Sequence, residues 1–192
     1  MSTERPDATG LRKSGKALED SFFAKENERL LAKLRATHEE MERREALQEA
    51  INLDDPLVID ALIELDVKPE TVAALSVVPL VQVAWADGTI QYEERQAILK
   101  AAAERGITAG KPCYALLESW LAHKPGPELL ATWKSYAGRL QEQLDTAARG
   151  EIKFRLIDRA RKVAEAAGGI MGMLTISKAE QAVLDELEHA LE

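Results

Sequence analysis

The segment Val83-Ala84-Trp85-Ala86-Asp87-Gly88-Thr89-Ile90-Gln91-Tyr92-Glu93-Glu94 decides how the chain is read. Its first residues are apolar and continue a run that begins at Val77, so they end a helix that has almost no polar face. Asp-Gly is a turn signal, with glycine supplying the positive φ that other residues resist. Gln91 with Glu94 three residues later is the spacing at which a glutamate reaches back to the first amide of the next helix. A buried helix, a tight acidic turn and a capped second helix follow from these twelve residues.

An imperfect copy lies downstream. Val83-Ala84-Trp85-Ala86-Asp87-Gly88 aligns with Val163-Ala164-Glu165-Ala166-Ala167-Gly168, and Ile90 to Glu94 aligns with Ile176 to Glu180. Ala97, Ile98 and Ala101 then fall in phase with Val183, Leu184 and Leu187. Ser177-Lys178-Ala179-Glu180 is a full capping box. The second turn is longer by six residues, and Ala167 stands where the first copy has Asp87. Two helix-turn-helix units packed against each other are the expectation.

On these residues the chain resembles the TerB-like (tellurite-resistance TerB) family. The shared pattern is a buried helix ending Ala-x-Ala-Asp-Gly, then a hydrophobic residue, then a glutamate in the next first turn, here Ala84, Ala86, Asp87, Gly88, Ile90 and Glu94. It covers roughly residues 70–192. The resemblance implies an all-α bundle over 53–192, no enzymatic activity, a cytoplasmic stress-associated or scaffold role, and metal binding through acidic residues. Replacement of the second aspartate by Ala167 removes one side of any symmetrical acidic site.

Composition points the same way. Apolar residues make up 46% and aromatics 5%, favouring helices packed through aliphatic and small side chains. Apolar positions recur every three or four residues, and no stretch alternates as a strand would. A net charge of -8 argues against nucleic acid and anionic membrane as partners. With one cysteine and no apolar run near the roughly 20 residues of a membrane span, the cytoplasm is the expected location.

Outside the repeat, residues 1–13 read as a disordered tail and 14–52 as one long charged helix, since no proline or glycine lies between Lys16 and Ile51. At 1.5 Å per residue that helix is about 55 Å long. Phe22, Phe23, Leu30, Leu31 and Leu34 make its first half apolar, whereas Met41 alone interrupts the polar stretch from Thr37 to Glu45. Such a helix docks on its own bundle, pairs with a second copy, or holds a protein partner. Phe22 to Arg35 is also similar to the inhibitor helices of ATP synthases, so a regulatory helix acting on a larger complex is a further reading.

Beyond it, helices are expected after Asp55-Pro56 and Lys68-Pro69, from Gln91 to Arg105, around Cys113 to Leu121, from Leu129 to Leu144, from Ile152 to Ala167 and from Ser177, about nine in all. Pro79 either starts or kinks the central one. Gly150 is expected to separate two helices, with Ile152, Leu156, Ala160, Val163, Ala164 and Ala167 facing inward.

Three sets of residues stand out as candidate sites. Asp87 closes a helix whose dipole disfavours negative charge by about 0.3–1 kcal/mol. Either it bonds the amides of its own turn, or Asp87, Glu93, Glu94 and Glu180 hold a divalent cation through hard oxygen ligands. Asp-Gly-x-Ile-x-x-x-Glu matches the second half of a calcium loop, but Val83 and Trp85 occupy the places of its first ligands. Phe22, Phe23, Leu30 and Leu34 are the candidate partner face of the helix. Ile170, Met171, Met173 and Leu174 form a loop apolar enough to tuck into a groove or bind something. Cys113 reads as a buried thiol and His38, His123 and His189 as surface residues. Arg155, Arg159 and Lys162 read as solvated charges. No nucleophile, base and orienting group can be assembled from spacing, so catalysis is not expected.

Overall fold

The computed structural model describes the backbone of residues 8–167 and 176–192 and, within them, the side chains other than those of 8–21, 23, 24 and 167. Every regular element described is helical: α1 (Ala8–Ile51), α2 (Pro56–Glu64), a 3₁₀ helix (Pro69–Val77), α3 (Val78–Ala84), α4 (Tyr92–Ala103), α5 (Pro112–Ala122), α6 (Pro127–Glu142), α7 (Thr146–Ala167) and α8 (Lys178–Ala190). The fold is all-α, as the periodicity requires. The chain divides into two compact units, residues 1–45 and 46–192.

The first unit is the greater part of α1. The helix begins at Ala8, so the tail expected over 1–13 is already helical from its eighth residue. Gly10 and Gly15 lie within it; a glycine weakens a helix by about 1 kcal/mol relative to alanine but does not by itself end one. Its surface carries pairs one turn apart, Arg29 with Glu26 at 2.8 Å and Arg44 with Glu40 at 3.8 Å, of the kind worth a few tenths of a kcal/mol each.

In the second unit the last turn of α1 is core: Leu47 and Ile51 are buried with Leu53. α3 is the centre. Six of its seven residues are buried, Gln82 being the exception, and Pro79 sits in its first turn, where the missing amide costs nothing. Proline therefore starts this helix instead of kinking one. α3 packs on α4, α6, α7, α8 and the 3₁₀ helix, while α4 packs on α7 and α8 on α3. That exchange, second helix of each unit on the first helix of the other, is what two related helix-turn-helix units produce when they face each other.

Three helices end alike. Asn52, Asp66 and Gly106 take φ of 51°, 53° and 76°. The following residue then sends its amide back to a carbonyl five residues earlier, Leu53 to Gln48, Val67 to Leu62 and Ile107 to Ala102, at 2.9 to 3.3 Å. These are Schellman closures, and Leu53, Val67 and Ile107 are buried. Gly150, expected to break a helix, lies inside α7. The break falls at 143–145, where Asp145 Oδ1 accepts the Ala148 amide at 2.8 Å and caps α7. Leu144 accordingly falls in the connection, outside α6.

The inward face of α7 is Ile157, Ala160, Val163 and Ala164. Leu156 packs against the core half-buried, but Ile152 is 39% exposed. It stands at the edge of that face, on an open cleft between helices.

Gly106→Ala should destabilise by about 1 kcal/mol through backbone strain alone, because a Cβ there meets nothing closer than Lys111 Nζ at 3.9 Å. Urea unfolding measures this, and an unchanged midpoint would mean that the α4 ending is not held in the left-handed region.

Candidate functional site

Both copies of the capped turn converge on one place. In the first, α3 ends at Ala84, Gly88 takes φ 96°, and the Thr89 amide and hydroxyl donate to Asp87 Oδ1 at 3.0 and 3.3 Å. Asp87 thus stabilises its own turn. The C-terminal carbonyl of Trp85 accepts from Lys124 Nζ at 3.0 Å, and the Trp85 indole donates to the Trp120 carbonyl at 2.8 Å. A cation at this helix end offsets the dipole that Asp87 opposes.

The Gln91 amide then donates to Glu94 Oε2 at 2.7 Å. In the second copy the Ser177 amide donates to Glu180 Oε2 at 2.6 Å, and the Glu180 amide donates to Ser177 Oγ at 3.1 Å. Glu94 is 3% and Glu180 6% exposed, and they are near enough for the charge of Glu180 to act on Glu94. Two buried carboxyls this near each other do not both ionise readily. Burial pushes Glu94 up to about 7; its bond from Gln91 opposes the rise, and the charges of Glu180 and Asp87 add to it. Each carboxyl is a helix cap, and the two caps come together where the two helix-turn-helix units meet.

Of the four expected acidic ligands, Glu94 and Glu180 are therefore brought together. Glu93 and Asp87 are exposed, although Asp87 is near enough for its charge to act on Glu94. Among the described residues, no group of three or more His, Cys, Asp or Glu is placed to hold a metal ion.

On the expected partner face, Phe22 is 65%, Leu30 47% and Leu34 66% exposed, with Met41 at 55%. The side chain of Phe23 and the loop residues Ile170, Met171, Met173 and Leu174 lie outside the described residues. Cys113 is buried, as its stripe implies. Among the described residues no single helix is long and apolar enough to cross a membrane.

Lys124 escaped sequence reasoning because its target lies 39 positions away, a contact no local pattern encodes. Of the three cations read as solvated, Arg155 pairs with Glu151 and Lys162 with Asp158, whereas Arg159 is half-buried. Arg105, which no motif marked, lies in the same region. Compared with known proteins, the chain matches no family model, no curated protein and no solved structure.

The Glu94 proton has a definite sign in stability. Folded Glu94 holds it up to about pH 7, whereas the unfolded side chain releases it near its ordinary 4.5. This group's contribution is complete below the lower value and is lost as pH rises through the upper one, with a limiting slope of about 1.4 kcal/mol per pH unit. Glu94→Gln, which can still accept from Gln91 and is uncharged at any pH, should flatten that decline between pH 5 and 7.5. At pH 8 it should be on the order of 1–3 kcal/mol more stable than the native chain. Urea titrations across this range decide it; equal slopes for the two proteins would mean that Glu94 is ionised throughout.

Proposed function

We propose that this chain is a non-catalytic, TerB-like interaction or scaffold protein of the cytoplasm, associated with stress as the resemblance implies, and that α1 holds its partner. The observation that carries the reading is the apolar stripe of α1. Leu30, Leu34 and Met41 recur at spacings of four and seven, on one face of a helix, and each is about half exposed or more. Exposed leucines at this density mark a surface that binds another helix or groove. The occupant is a protein partner or a second copy of the chain. The bundle has the opposite character, a closed core in which two buried carboxyls fix how two units meet, which suits a platform better than a reaction centre.

Replacing Leu30 and Leu34 together by Glu in the full-length chain tests this, because both side chains are exposed and neither belongs to the buried core. Self-association by sedimentation, or cross-linking to an identified partner, should fall at least tenfold while the melting temperature stays within a few degrees. Undiminished association would remove α1 from the binding surface. Any truncation made for the same purpose should stop at Glu45, since Leu47 and Ile51 are core residues.

A second reading is a divalent cation at Glu94 and Glu180 with Asp87 nearby, and the convergence of the first two side chains supports it. Such an ion would displace the Glu94 proton, so binding would strengthen as pH rises. Metal-stripped protein melted with Ca²⁺, Mg²⁺, Mn²⁺ or Zn²⁺ at pH 8 should then gain roughly 2.7 kcal/mol at a hundredfold excess over the dissociation constant, several degrees for a chain of this size. Asp87→Ala with Glu94→Gln should abolish the gain, and a flat response to all four ions removes the reading.

A further inference from the structure

A further cleft lies between the 3₁₀ helix, α6, α7 and the residues that follow α4 and α8, and has a volume of about 550 Å³, within the range of small-molecule sites. Most of its wall is apolar, from Trp133, Leu140 and Leu144 on one side to Ile152 and Leu156 on the other. Its charged lining consists of Arg105, Arg155 and Arg159, with no carboxylate, in a chain of net charge -8.

Arg155 is occupied by Glu151 at the rim. Arg105 and Arg159 are different. Among the described residues neither forms a salt bridge, and Arg105 Nη1 is buried with no hydrogen-bond partner. Gln141, 9% exposed, also lines the cleft and leaves its Nε2 buried and unpartnered. Burial and then the charge of Arg159 make the Arg105 guanidinium easier to deprotonate than usual, with the charge of Glu104 opposing them. Glu104 and Asp158 line a separate groove that Arg155 and Arg159 also border, and neither carboxylate lines this cleft.

An unsatisfied guanidinium is costly when partly buried, and here two of them without an ion-pair partner line one largely apolar space. A neutral apolar occupant would leave the donors unmet, while a small inorganic anion would leave the wall bare. Both demands are met by a carboxylate on an alkyl chain, since guanidinium groups take carboxylates through paired N–H donors. We propose that this cleft binds a single-chain alkyl carboxylate of the fatty-acid class, its head on Arg105 and Arg159 and its chain along Trp133, Leu140 and Leu156. The inference is independent of the role given to α1.

Calorimetric titration of the full-length protein with decanoate should show one saturable site per chain. Decanol, with the same chain and no charge, should bind at least tenfold more weakly, as should inorganic phosphate, which has charge and no chain. Arg105→Gln with Arg159→Gln should weaken decanoate at least tenfold without lowering the melting temperature. Ala73→Phe, from an exposed position on the rim, should block the chain with both arginines intact. On unaltered protein, where no question of folding arises, decanoate should raise the melting temperature more than equal decanol. Absence of a saturable site, equal affinity for decanol or phosphate, or an undiminished double variant would each overturn the proposal.

Discussion

A seven-residue helix with a single non-apolar position has to be enclosed on every side, and the second unit is arranged to do that for α3. Alone it would not form, since nucleation makes so short a helix unfavourable in water. Its stability comes from five neighbours. Close approach to α7 relies on small side chains: Ala84, Ala160 and Ala164 are all fully or almost fully buried. Once α3 and α7 are this close, the helices that follow them are brought to the same depth, and the glutamates that start α4 and α8 meet.

That meeting sets two electrostatic preferences against each other. A carboxylate is favoured at each helix N-terminus by the dipole and by the amide it accepts, but two carboxylates out of water cannot both stay ionised at short range. A proton on Glu94 keeps both caps and removes the repulsion. Burial favours that protonated form up to about pH 7, a range in which few side chains titrate.

Much of this was legible in the residues. The spacing of three and four identified the helices, the Ser177–Glu180 box located the start of α8, and the in-phase copies placed Glu94 and Glu180 in corresponding positions. Legibility failed where glycine was read as punctuation. Gly10 and Gly150 are inside helices, while two of the three Schellman endings belong to Asn52 and Asp66. A left-handed φ ends a helix, and a residue name is an imperfect proxy for it. The cleft was illegible for another reason: Arg105 comes from the turn after α4, Gln141 from α6 and Arg159 from α7, and their want of partners exists only after the chain has folded. Their sequence neighbours look like ordinary surface charge.

The Schellman endings also bear on how the chain can vary in length. At each of them the residue after the left-handed one is buried, so the chain re-enters the core with no slack. An insertion between Asn52 and Leu53, Asp66 and Val67, or Gly106 and Ile107 would pull an anchor out of the interior. The exposed stretch 108–110 has no such buried anchor and can lengthen freely. Length differences among sequences sharing this fold should gather there, leaving the spacing from each left-handed residue to its anchor constant.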